Sequence, residues 1–164
     1  MAHFYVKGCS WFGYGANGND LISIGSSWQT ELPDTMFISP NAPFDCTWGS
    51  NAYQWFELSS ISPESIGSGL DKAGPYLNGF IDHISKETKV PQEKIFFVSF
   101  SQGTMMALYH LCQRNSKCAG IMGYSGLLLC DDDFNLNIKR RLVFYYKTLS
   151  HSFPPPQLKS NHNQ

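Results

Sequence analysis

Short apolar runs alternate with stretches of helical period, and that alternation constrains the fold more than any single residue. Met36-Phe37-Ile38, Ile95-Phe96-Phe97-Val98 and Ala119–Tyr124 each read as a buried strand bounded by turn formers. Ser62-Pro63-Glu64-Ser65 predicts a helix start, with Ser62 as N-cap and Pro63 at the first helical position. Ile66, Leu70, Ala73, Leu77, Phe80 and Ile84 then recur at steps of four and three, one apolar face of a helix ending before Pro91. Gly103–Arg114 predicts another helix, and Asn19 or Asp20 caps an earlier one carrying Leu21, Ile24 and Trp28. His3–Val6 reads as a short strand before the turn-rich Gly8–Gly15, and Leu142–Tyr146 as a last strand. Residues 40–61 read as a long loop bearing Phe44, Trp48, Tyr53 and Trp55. Strands that alternate with helices imply right-handed crossovers. The predicted class is α/β, a mostly parallel sheet with helices on both faces.

Composition removes several functional classes. The 164 residues are 42% apolar and only 15% charged, which suits one packed domain and excludes a wholly disordered chain. The expected domain is 1–147, with residues 148–164 a disordered tail around Pro154-Pro155-Pro156. The longest apolar runs, Met105–Tyr109 and Leu142–Tyr146, are far short of the ~20 residues of a transmembrane segment. No basic segment followed by an apolar one opens the chain, so no secretory signal is predicted. Five cysteines without a CxxC pair point to reduced thiols and a cytoplasmic setting. A formal charge of −1 gives no reason to expect nucleic acid as a partner. The charge is uneven, however: all thirteen Asp and Glu precede residue 139, and residues 139–164 carry five Lys and Arg with no acid. That end reads as a basic solvated segment or a contact for nucleic acid or an anionic membrane; Lys139-Arg140-Arg141 is its only basic cluster, which favours the former.

The chemistry-bearing stretch is Ser99-Phe100-Ser101-Gln102-Gly103, set between an apolar strand and a helix. A serine at a sharp strand-to-helix turn has its hydroxyl exposed above the sheet edge, and the residues two before and two after it must be small. Ser99 and Gly103 meet that need, although Ser99 stands where G-x-S-x-G carries glycine. Ser101 is the candidate nucleophile and the Gln102 N–H a candidate oxyanion donor at a helix N-terminus. The competing reading makes Ser101 a plain helix cap. Gly13-Tyr14-Gly15-Ala16-Asn17-Gly18 can be a phosphate cradle, a plain turn, or a loop whose Tyr14 N–H is the second oxyanion donor. It lacks the Lys-Ser/Thr of a P-loop, and beside Ser101 the oxyanion reading is favoured.

In order and spacing, Gly13–Leu21, Phe37-Ile38-Ser39-Pro40-Asn41-Ala42-Pro43, Gln54-Trp55-Phe56, Phe100-Ser101-Gln102-Gly103 and Gly123-Tyr124-Ser125-Gly126 resemble the phospholipase/carboxylesterase family of α/β-hydrolases, which includes acyl-protein thioesterases. The resemblance runs from about Gly13 to Ile138. It implies an incomplete α/β-hydrolase fold, with Ser101 as nucleophile, Tyr14 and Gln102 as backbone oxyanion donors, and the loop through Gln54-Trp55-Phe56 near the substrate. It implies a small acyl ester or thioester as substrate and neither cofactor nor metal. Three departures follow. Phe12 replaces the His that precedes Gly13 in the family, and His3–Trp11 is a poor version of its first apolar strand. Lys147-Thr148-Leu149 stands where the family has His-Gly-Asp with the triad acid, and the family's later triad-His segment has no counterpart. The chain is shorter than the resemblance predicts by about one strand–helix–strand unit, and its basic end is what a shifted reading frame would produce.

A serine needs a base within hydrogen-bond reach. Downstream acids are Asp131, Asp132 and Asp133; downstream histidines are His110, His151 and His162. His110 follows Ser101 on the same helix and cannot fold back to it, His83 is expected on the solvent side of its helix, and His3 is terminal. Asp133 with His151 is the one substitute pair in the right chain order. The expected function is a serine hydrolase of esters or thioesters impaired by loss of the triad acid and His. The alternative is a non-enzymatic pseudo-hydrolase holding an acyl ligand or protein partner in the old cleft. An incomplete sheet predicts an exposed edge and an oligomeric or poorly soluble product.

Overall fold

The computed structural model describes residues 7–11, 14–47 and 49–129. Its framework is a three-stranded parallel sheet in the order β1-β4-β5, made of β1 (Lys7–Trp11), β4 (Phe96–Phe100) and β5 (Gly120–Tyr124). Helix α1 (Gly18–Trp28) follows β1, and α2 (Pro63–Thr88) and α3 (Gln102–Met106) flank β4 in sequence. A small antiparallel hairpin, β2 (Phe44–Asp45) with β3 (Tyr53–Gln54), lies between α1 and α2. The α/β architecture with a parallel sheet and helices is therefore the one the alternation predicts.

Local chemistry accounts for the boundaries. Asn17, not Asn19 or Asp20, caps α1: its side chain accepts from Asn19 N at 2.9 Å, and Asp20 Oδ2 accepts from Asn17 N at 2.9 Å. Ser62 caps α2 through Ser65 N at 3.2 Å, with Pro63 next, as predicted. The buried stripe of this 26-residue helix is Ile66, Leu70, Ala73, Gly74, Leu77 and Ile81. It runs to Ile81 because 3.6 residues per turn sets Phe80 on one border of the stripe, while Ile84, back in line with Ile66, lies near the end of the helix and is half-buried. Beyond Met106 the helix widens into one π turn, Ala107–Leu111, which no periodicity signals.

Three expectations are corrected. Lys7–Trp11 is a strand, within the stretch read as turn-rich; parallel pairing with β4 fixes its backbone despite the weak sequence pattern. Met36-Phe37-Ile38 is not a buried strand: Thr35 and Ile38 hold only single bridge positions, and Met36 is 45% exposed. Pro33 and Pro40 bracket the run and supply no N–H for a longer ladder; Phe37 instead packs on Gly25 of α1. The 40–61 loop contains the β2–β3 hairpin and delivers Trp55 and Phe56 to the core, each 3% exposed. His3–Val6, Leu142–Tyr146 and the 148–164 tail lie outside the described residues.

The core lies between the sheet and α2 with α3. Phe97 and Ile121 point into it, together with Leu70, Leu77, Met106 and Leu108. Phe96, Val98 and Met122 face the opposite way, toward Trp28 and Leu32 at the end of α1.

Candidate active site

Ser101 sits in the turn between β4 and α3 with φ 50° and ψ −117°, a conformation non-glycine residues avoid at a cost of ~1–3 kcal/mol. Three backbone bonds hold it there. Its N–H donates to Tyr124 O at 2.8 Å, and its carbonyl accepts from Thr104 N at 3.0 Å and Met105 N at 3.2 Å. Its side chain makes no capping hydrogen bond to the helix it precedes. A serine serving only as a cap would adopt extended backbone and accept from the first turn, as Ser62 does on α2.

The small residues around the turn have packing reasons. Ser99 is 1% exposed, and its hydroxyl donates to Met122 O at 3.4 Å, so the extra oxygen relative to glycine finds a partner on β5. Thr104 grips the end of β5: its hydroxyl donates to Tyr124 O at 3.0 Å and accepts from Tyr124 N at 3.1 Å. A side chain at Gly123 or Gly126 would collide with Thr104, which explains glycine at both positions of Gly123-Tyr124-Ser125-Gly126.

Strand order brings the loops together. Trp11 pairs with Ser99 and Phe100 with Tyr124, so the segments leaving β1, β4 and β5 emerge at one edge of the sheet. This is where open α/β sheets carry their sites. In the first of these segments Gly15 has φ 86°, accessible to glycine. Gly15 N donates to Tyr53 O at 2.9 Å, and Tyr53 N to Ala16 O at 3.1 Å, tying this loop to β3. Asn41 Oδ1 accepts from Gly18 N at 2.7 Å, which pins the Ser39–Pro43 segment to the start of α1. The Tyr14 phenol is pushed above its ordinary pKa by burial and by its hydrogen bond with Cys46.

Gln102 is fully buried, and its side chain is spent on backbone. Oε1 accepts from Trp55 N at 2.8 Å, and Nε2 donates to Phe56 O at 2.8 Å. Sequence reading assigned this residue only its main-chain N–H and missed the side chain. Its signal was a long amide placed between two small residues, Ser101 and Gly103. Thr104 and Asn41 were missed likewise, because their partners are 20 and 23 positions away.

The histidines separate cleanly. His83 is exposed on α2, as expected. His110 Nε2 lies 2.8 Å from Leu70 O and its ring packs on Gly74, so it is engaged with α2 rather than with the turn at Ser101. Burial lowers its pKa. Asp131, Asp132, Asp133, His3, His151 and His162 lie outside the described residues. Among the described residues no three His, Cys, Asp or Glu group to hold a metal ion, and no helix is long and apolar enough to cross a membrane.

A strained serine between a central parallel strand and a helix, with a glycine-rich loop leaving the adjacent strand at the same edge, defines an α/β-hydrolase. The chain belongs to the phospholipase/carboxylesterase family, whose model matches residues 11–152. That match passes through the change in charge at residue 139, beyond the expected limit near Ile138. The chain is 31% identical over 128 residues to acyl-protein thioesterase 1 of Neurospora crassa, covering 71% of this chain and 52% of the relative. It is 30% identical over 98 residues to acyl-protein thioesterase 1 homolog 1 of Dictyostelium discoideum, covering 56% and 43%. The crystal structure of esterase PE8 superposes with a TM-score of 0.71 at 34% identity, covering 76% of this chain and 59% of that one. The chain spans about half the length of the curated relatives it matches.

Proposed function

We propose that Ser101 is the nucleophile of a serine hydrolase acting on carboxylic esters or acyl thioesters, with the backbone N–H groups of Tyr14 and Gln102 as oxyanion donors. The observation that carries this is the φ of 50° at a serine whose side chain makes no capping bond. Strain of this kind persists only where surrounding bonds impose it, and here it sets the serine at the sheet edge beside the glycine-rich loop. Acyl transfer would proceed by attack of Oγ on the carbonyl carbon, with the carbonyl oxygen taking negative charge toward the two amides. The alcohol or thiol then departs with a proton, and water releases the acyl group from Ser101.

Turnover is slow in this reading, because Lys147-Thr148-Leu149 occupies the family's triad-acid position and, of the described histidines, His110 is engaged with Leu70 and His83 is exposed on α2. We assign the chain to a reducing, cytoplasmic setting, the reading supported by five cysteines without a CxxC pair. The test is hydrolysis of a short-chain p-nitrophenyl ester. Slow turnover that Ser101→Ala lowers supports the reading; the ~10³–10⁴ over water that triad-deficient sites retain comes from the oxyanion donors and binding, and that part survives in Ser101→Ala. Turnover untouched by Ser101→Ala refutes it. Stabilisation by a fatty acid with no turnover transfers the assignment to an acyl-binding pseudo-hydrolase.

A further inference from the structure

We infer that the side chain of Gln102 is a positioning residue that sets the separation of the two oxyanion donors by tying the loop of one to the turn of the other. The inference rests on the assignment of Tyr14 and Gln102 above and adds the means by which two segments remote in sequence are held in register.

The path is continuous. Gln102 follows the strained serine and opens α3. Its amide brackets two residues of the chain leaving β3, Trp55 and Phe56, accepting from Trp55 N and donating to Phe56 O, both at 2.8 Å. Two residues before Trp55, Tyr53 makes two backbone bonds with the glycine-rich loop, to Gly15 N at 2.9 Å and Ala16 O at 3.1 Å. Tyr14 is the next residue of that loop. The turn that carries one donor therefore reaches the loop that carries the other through one buried side chain and one short strand. Among the described residues, β1 and β4 pair as far as Trp11 and Ser99. Past that point this side-chain bridge joins the two segments above the sheet edge.

The chemistry suits the task. A primary amide can satisfy an N–H and a C=O at once, holding a peptide in both direction and distance. Both bonds are buried, so water does not compete for them, and a replacement lacking either function leaves a backbone group unpaired. Leucine matches the size of glutamine but supplies neither bond. A charged carboxylate keeps the acceptor and loses the donor. Neither change removes the Gln102 N–H, so the side chain can be tested apart from the donor.

Hydrogen exchange on the full chain tests the tie without requiring activity. In Gln102→Leu, amides of residues 14–17 and 53–56 should exchange at least about 10-fold faster, while residues 66–81 of α2 keep their parent rate. Tyr53→Pro weakens the path one step further on by removing the bond to Ala16 O while leaving Gly15 N on the carbonyl: residues 14–17 should again speed up, to a smaller extent, while Trp55 N–H stays protected by Gln102. Two results overturn the inference: unchanged exchange at 14–17 in Gln102→Leu, or α2 accelerating in step with the loops, which marks general loss of stability. In ester hydrolysis Gln102→Leu should lower kcat by up to about 10²-fold with KM unchanged, since the oxyanion exists only in the transition state. If the parent chain shows no Ser101-dependent turnover but the exchange pattern appears, the tie stands and the hydrolase assignment fails. Turnover in the parent with equal kcat in Gln102→Leu overturns the inference and spares the assignment.

Discussion

The two faces of the sheet are filled differently. On the α2–α3 face, Phe97 is 1% exposed and Ile121 is fully buried, sealed by Leu70, Ala73, Leu77 and Met106, none of which is exposed at all. On the α1 face, Val98 is buried, but Phe96 and Met122 are only half-buried and Phe100 is 44% exposed. There a cavity of about 630 Å³ is lined by Trp28, Leu32, Phe96, Val98, Ala119 and Met122. The serine turn draws its support from the sealed face: Thr104, Gln102 and Ser99 are each 1% exposed or less. Stability and the geometry of the serine turn are therefore coupled through one side of the sheet.

The comparison is broken most directly by truncations on the two faces. Leu77→Ala should cost about 3 kcal/mol in chemical denaturation, within the range for fully buried leucines. Phe96→Ala, beside an existing cavity, should cost no more than about 1.5 kcal/mol despite removing a larger side chain. Equal losses would show the α1 face to be packed as tightly as the other. Next in size, Thr104→Val keeps the shape but deprives Tyr124 N–H of an acceptor and its carbonyl of a donor, at about 1–3 kcal/mol. Because Tyr124 O also receives Ser101 N–H, this variant should lose hydrolysis along with stability.

His110 sharpens the comparison by pH. Burial depresses its folded pKa below the ordinary ~6.5, so the unfolded chain binds the proton first. Its contribution is complete above about pH 6.5 and is lost as pH falls through the lower folded value. Thermal melts from pH 7.5 to 5 should show the parent falling more steeply than His110→Gln; parallel curves would refute this. The smallest effect is expected from Ala119→Leu, which projects into the cavity and should change stability by less than about 1 kcal/mol, in the stabilising direction. A marked loss would mean that the cavity is closed to added volume.

Local signals made much of this legible. Ser62-Pro63 and the Ile66–Leu77 stripe mark α2 because caps and periodicity act within a few residues. Ser99–Gly103 marks the turn because its steric demands fall on immediate neighbours. What escaped was set by partners far along the chain. The β1 backbone is fixed by β4, the folded 40–61 segment depends on Trp55 and Phe56 reaching the core, and the Gln102 amide acts 46 and 47 positions away. Met36-Phe37-Ile38 misled for the converse reason: three apolar residues meet the pattern of a buried strand, but flanking prolines leave no room for a ladder.

The central claim is that the turn holds the hydroxyl of Ser101 ready to attack an acyl carbon. Intact-mass analysis after treatment with a fluorophosphonate, followed by peptide mapping, tests it most directly. The expected result is a single adduct that forms slowly on Ser101, as suits a serine without its base, that Ser101→Ala abolishes and that Gln102→Leu slows further. An unmodified chain, or an adduct that persists in Ser101→Ala, would contradict it.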